Sequence, residues 1–207
     1  SDCGKYPSVT NDTSADIKKI TDHLIEEHGF SVIDILTGPQ DSTEAVVRVD
    51  GDKKSMSEHG LTVEEDNIIW GDFWTGSGER TAHEYISGKR RMPQAVVCAN
   101  DYMALSICDE LKARNVRVPE DVCISGFDFL YEARVNDPTI TSLEVDFESM
   151  MNNAVDIIHN VNCGIEQKNI QTKEATIRLH KSCGCGGQFE YKNILKIVDG
   201  KNILEGT

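Results

Sequence analysis

The sequence has 207 residues, 39% hydrophobic and 27% charged, with 21 Lys and Arg against 35 Asp and Glu for a formal charge of −14. That composition fits one large or two small globular domains and excludes an intrinsically disordered chain. The acidic balance excludes binding to a nucleic-acid backbone by this chain alone, which needs a basic face, and no run is long and apolar enough to cross a membrane.

In chain order, apolar periods of strand and helix alternate. Asn11, Asp12 and Thr13 offer a helix start, and Ile17, Ile20, Leu24 and Ile25 then form one apolar face up to Gly29. Residues 31–36 (SVIDIL) read as a buried strand, broken by Thr37-Gly38-Pro39. Residues 42–59 are helical in outline and closed by Gly60, with Gly51 weakening the middle. A short strand over 67–70, a helix over 77–86 and a basic loop over 87–93 follow. Residues 95–99 are a strand and 102–114 a helix with Ala104, Ile107, Cys108 and Leu111 on one face. The pattern closes with strands at 122–125, 141–145 and 175–179 and a helix over 147–161. Strands separated by helices imply crossover connections, hence an α/β fold with a parallel sheet and helices on both faces. Beyond Cys185 a linker and a hairpin-like piece over 193–204, turning at Asp199-Gly200, read as a connection to something further.

Ligands of open parallel sheets bind outside the carboxyl ends of the strands. At those ends stand the loop 37–42 with Arg48 on the helix beyond it, then Gly71-Asp72-Phe73-Trp74, Asn100-Asp101 and Gly126-Phe127-Asp128. A guanidinium, an amide, carboxylates and aromatic rings on one edge suit a polyhydroxylated ligand, whose hydroxyls both donate and accept and whose ring face is apolar. Each residue also has a plain structural role open to it. Asn100 or Asp101 can cap a helix, as can Asp128 near 130–134, Arg48 can lie on a solvated face, and Phe73 and Trp74 can be core. Of the Asn-Asp pair, Asp101 directly precedes the predicted helix and is assigned the cap, leaving Asn100 for the ligand.

Enzyme signatures are missing: no glycine-rich phosphate loop follows a strand, and no Gly-x-Ser-x-Gly elbow occurs. The seven cysteines, odd in number and scattered through apolar runs, read as reduced thiols of a cytoplasmic protein. Cys183-Gly184-Cys185 is the one close pair, and the nearby His180 does not complete a four-ligand set. His23, His28, His59, His83 and His159 fall on predicted helices and read as solvated or locally satisfied, so neither metal nor cofactor is expected.

The segment PQAVVCANDYMALSICDELKARNVRVPEDVCISGFDF closely resembles the effector-binding domain of LacI/GalR-type transcription regulators. DPTITSLEVDFESMMNNAVDII resembles a later segment of that family, and HLIEEHGFSVIDILTGPQDS with RVDGDKKSMSEHGL resembles its entry into the second of two lobes. The likeness runs over about residues 8–185. It implies a periplasmic-binding-protein-like fold truncated to mainly its second lobe. Residues 1–13 would be a remnant of the first lobe and the entry to the second, and 14–140 the second lobe. Residues 141–165 would belong to the first lobe, 166–185 would return to the second, and 186–207 would be a linker or the start of a further domain. It further implies a non-catalytic sensor of a sugar or related small molecule, acting by lobe closure, binding DNA only through a headpiece outside this sequence, and working as a homodimer. Position by position, the resemblance assigns the effector to Arg48, Phe73, Asn100 and Asp128. Val145 departs from the pattern, standing where sugar-binding members often carry a polar residue. The alternatives are a signalling protein's sensor domain with an output domain downstream, suggested by Ser182-Cys183-Gly184-Cys185, and a lobe of a periplasmic solute receptor.

Overall fold

The computed structural model describes residues 6–186; the hairpin expected over 193–204 lies outside them. Eight strands and six α-helices run in the order β1 (Val9–Thr10), α1 (Thr13–Glu26), β2 (Ile33–Thr37), α2 (Thr43–Glu58), β3 (Ile68–Trp70), α3 (Thr75–Ile86), β4 (Ala95–Cys98), α4 (Asp101–Ala113), β5 (Cys123–Phe127), α5 (Tyr131–Val135), β6 (Thr141–Glu144), α6 (Phe147–Asn162), β7 (Ile170–Gln171) and β8 (Thr176–Arg178). The main sheet has the order β3-β2-β4-β5-β6-β8, parallel except for the antiparallel edge strand β8. A separate two-stranded parallel pair joins β1 to β7.

The central strands are covered on both faces, which is why they read as unbroken apolar runs. Alternation along β4 divides the core in two. Val96 and Cys98 point into a cluster with Met103, Ile107 and Leu111 of α4 and Tyr85 of α3. Ala95 and Val97 point into the other, with Ile17, Ile20 and Leu24 of α1 and Met56 of α2. The spacing of Ile17, Ile20 and Leu24 makes α1 amphipathic, and Asp12 starts it by accepting from the Ala15 amide at 3.0 Å.

Gly51, a weak point for helix propensity, is the residue that lets α1 and α2 cross closely. A Cβ there would lie 2.3 Å from the Ser14 carbonyl oxygen and 2.5 Å from Ile17. Hydroxyl–carboxylate contacts lace the same crossing: Thr21 donates to Asp52 at 2.5 Å and Ser55 to Asp22 at 2.6 Å. Burial is the main force on Asp52, pushing its carboxyl up to about 8 against the opposing pull of the Thr21 bond and of Arg48.

Residues 170–171 pair with β1 rather than with the main sheet, and the chain rejoins that sheet only at Thr176. Val145 is buried in the α1-side cluster and takes a packing role. Helix α6 stands apart: Ile157 is buried, while Phe147, Met151, Val155, Ile158 and Val161 expose an apolar stripe at helical spacing. No helix among the described residues is long and apolar enough to cross a membrane.

Candidate functional site

The carboxyl ends of β2, β3, β4 and β5 form one edge of the sheet, and all four sequence-predicted residues lie along it. Arg48 reaches from the second turn of α2 across the ends of β4 and β5. Its Nη1 donates to the Ala99 carbonyl, and its guanidinium carbon sits 4.2 Å from the centroid of the Phe127 ring, the last residue of β5. The Phe73 ring is farther off, at 5.9 Å. Cation–π contact and one carbonyl thus hold the charge in place, yet the Nε–H is buried with no hydrogen-bond partner. An unpaired buried donor costs about 1–3 kcal/mol, and a ligand acceptor would recover it.

Asp128 follows Phe127 and is mostly buried. Burial pushes its carboxyl up to about 6, while the Arg48 charge pulls it down. In turn burial lowers the pKa of Arg48, and Asp128 is the foremost charge opposing that fall. The two therefore share one electrostatic environment without needing a direct ion pair.

Phe73 lies over the loop after β2: a Cβ on Gly38 would come 2.1 Å from its ring. Beside it Trp74 is 64% exposed and meets Tyr102 with ring centroids 5.7 Å apart, so Trp74 belongs to the rim of the edge and not to the core. Among the described residues four non-glycines have positive φ: Asn115 and, along this edge, Phe73 (66°), Asp128 (104°) and Phe129 (54°). Such left-handed conformations cost energy and cluster where ligands are held.

At the Asn-Asp junction the helix cap falls to Asn100 and not to Asp101, the residue assigned it from sequence. Strand β4 ends at Cys98 and α4 starts at Asp101, so Asn100 is the N-cap. Its Oδ1 accepts from the Met103 amide at 3.0 Å, and its Nδ2 donates to the Phe73 carbonyl at 2.8 Å. The carbonyl oxygen and one of the two N–H donors are used within the fold, and Asn100 positions the Phe73 loop. Asp101, fully buried, does not cap; it accepts from the Leu130 amide and the Ser142 hydroxyl, both at 2.7 Å. Burial dominates its carboxyl as well, pushing it up to about 7. Sequence reasoning missed Phe127 as the platform under Arg48, and Tyr102. The signal for the first was its place as the last apolar residue of a buried strand, next to a carboxylate.

An open parallel sheet with polar and aromatic residues gathered at its strand ends has the arrangement at which α/β folds take ligands. The comparisons make this specific. Residues 21–181 match the periplasmic binding protein-like domain, and the chain belongs to that family as a LacI-type effector-binding domain. Among curated relatives, the HTH-type transcriptional repressor PurR of Vibrio atlanticus is 33% identical over 138 residues, 67% of this chain and 41% of that protein. The ribose operon repressor of Escherichia coli K12 is 30% identical over 142 residues, 68% of this chain and 42% of that protein. A LacI-type transcription regulator from Bifidobacterium animalis superposes with a TM-score of 0.80 at 27% identity, over 88% of this chain and 69% of that one. A CelR–cellobiose complex gives 0.78 at 27% identity, over 86% and 54%. The chain spans about two fifths of the length of the curated relatives it matches.

Proposed function

We propose that this chain senses a small polar effector, a sugar, for a cytoplasmic LacI-type transcription regulator, and that it makes and breaks no bonds. The observation that carries the reading is the Arg48–Asp128 edge: a guanidinium with an unpaired buried Nε–H beside a carboxyl raised by burial, under an aromatic held at positive φ. Such a pair offers donors and an acceptor to adjacent hydroxyls, and Phe73 offers a face to the ring between them. Relatives named as the ribose operon repressor and a regulator in complex with cellobiose support this ligand class.

In this reading the sheet edge is one wall of a cleft. The exposed stripe of α6 and the β1–β7 pair belong to the first lobe, whose remaining elements cover that stripe. Effector binding favours the closed arrangement by its higher affinity for that state, and DNA is reached through a headpiece in the same homodimeric protein.

Calorimetric titration of the whole regulator with pentoses, hexoses, β-linked disaccharides and purine bases tests the assignment. Binding of a sugar that Arg48→Ala and Asp128→Ala both weaken supports it. No binding across the panel, or variants that bind as tightly as the parent, overturns it.

A further inference from the structure

At the opposite, amino-terminal edge of the sheet, two pairs of side chains far apart in sequence come together. His23 lies in the last turn of α1 and His28 just past the end of that helix. Cys183 and Cys185 follow β8, and Cys183 packs beside Cys123 and Thr141, the first residues of β5 and β6. One nitrogen from each histidine and both sulfurs lie within 4.8 Å of one another. His23 Nε2 is 3.2 Å from His28 Nε2, and Cys185 Sγ is 3.3 Å from each; Cys183 Sγ is 3.9 Å from His23 Nε2.

These four lengths are close to edges of a coordination tetrahedron, and the other two ligand pairs lie within 4.8 Å. Zinc bonds of about 2.0–2.1 Å to nitrogen and about 2.3 Å to sulfur imply ligand separations of roughly 3.3 Å between nitrogens, 3.6 Å between nitrogen and sulfur and 3.8 Å between sulfurs. At 3.2 Å one ring nitrogen can donate to the other, whereas a cation at the centre takes a lone pair from both nitrogens and from Cys185 at once. We infer that His23, His28, Cys183 and Cys185 form a structural zinc site that staples the segment after β8 to the end of α1. The inference does not rest on the effector reading.

The surroundings fit that chemistry. Two thiolates neutralise a divalent cation, and four protein ligands leave no open position for a substrate, the pattern of a structural site. Borderline and soft donors of this kind select zinc over calcium or magnesium. The Thr141 hydroxyl lies 3.0 Å from Cys183 Sγ and can donate to the thiolate, and the Cys123 thiol donates to the Cys183 carbonyl at 3.6 Å. Ring contacts hold the histidines: His23 and His28 meet edge-on with centroids 5.0 Å apart, and Phe30 stacks on His28 at 5.3 Å. Gly184, at φ 89°, takes the left-handed turn between the two cysteines. Binding forms four metal–ligand bonds and releases the two thiol protons, including the one Cys183 shares with the His180 carbonyl at 3.3 Å. No oxidant or reductant takes part.

The test loads the full 207-residue chain, purified under reductant, with zinc, and measures bound metal by mass spectrometry after dialysis. Affinity is read by competition with a chromophoric chelator. The expected result is one equivalent of zinc, bound at least about 100-fold more weakly by Cys185→Ser and by His28→Ala, the two ligands whose loss disturbs the core least. Cys163→Ser, at the exposed cysteine that closes the C-terminal end of α6, leaves binding unchanged. Cobalt substitution of the parent chain gives the visible bands of a tetrahedral site with thiolate charge transfer, a readout independent of any variant's folding. A zinc content below a tenth of an equivalent, a cobalt spectrum without thiolate bands, or a His28→Ala variant that binds as tightly as the parent overturns the site.

Discussion

The two edges of the main sheet hold polar side chains by opposite means. At the carboxyl edge each candidate residue follows a strand or opens the helix after it, so the groups are delivered by consecutive βα units and pinned by their own loops. Asn100 caps α4 and tethers Phe73, Gly38 makes room for the Phe73 ring, and Phe127 underlies Arg48. At the amino edge the four candidate ligands come from two segments 155 to 162 residues apart, one ending α1 and one following β8. An edge assembled from neighbouring loops keeps its geometry without a ligand and can exchange one. An edge assembled from distant segments gains from a bound ion, because the ion adds a link that only the folded chain can make.

The comparison predicts separable effects. The largest belongs to Asp128→Ala and Arg48→Ala. Each removes one partner of a desolvated charged site, and each should weaken effector binding about 100-fold or more, read by calorimetry, with zinc content unchanged. Combining Asp128→Ala with His28→Ala then asks whether the edges are coupled. Independent edges give changes in stability that add within about 0.5 kcal/mol, and a larger discrepancy breaks the comparison. Asn100→Ala should cost about 1 kcal/mol of stability for the lost cap. Because Phe73 loses its tether, the same variant should bind effector about tenfold more weakly, an indirect effect smaller than that at Asp128. In Asn100→Asp the cap acceptor stays while the donor to Phe73 is lost, which separates the two roles by differential scanning calorimetry and titration.

The smallest effect is on pH dependence. Asp52, Asp101 and Asp128 are raised from 3.8 to about 8, 7 and 6, chiefly by burial. Below about pH 4 all three are protonated in folded and unfolded chains alike, and the stability they allow is fully present. As pH rises through these folded values the folded chain holds the extra protons, so stability falls, with the last step near pH 8 at Asp52. Asp52→Asn keeps an acceptor for Thr21 and removes that step. Its melting temperature should fall less than the parent's between pH 6 and 9, by roughly 2–4 °C for each kcal/mol recovered. An unchanged pH profile would mean that Asp52 is ionised in the fold.

Much of the carboxyl edge was legible because each signal is local. A run such as AVVC entering Asn100, or Cys123–Phe127 entering Asp128, marks a buried strand that delivers a polar side chain to its end. The division of labour at Asn100-Asp101 was not legible, since it turns on a single residue. Ending β4 at Cys98 rather than Ala99 starts α4 one residue earlier. One residue turns a helical side chain by about 100°, which swings Asp101 inward toward Ser142 and Leu130. Gly51 was legible only as a weakness, because its reason lies in Ser14 of another helix. At the amino edge the His23–His28 spacing is present in the sequence, but the cysteines that meet it follow β8, and only the fold brings the two pairs together.

By itself the sequence determined the alternation of strands and helices, the faces each would bury and the residues at each strand's carboxyl end, because periods of 2 and 3.6 and helix starts are properties of short segments. Only the tertiary structure decided which residue of a pair turns inward, which glycine marks a helix crossing and which histidines meet which cysteines. Those outcomes depend on strand register and on how closely α1 packs against the sheet, and both are set by the whole core at once.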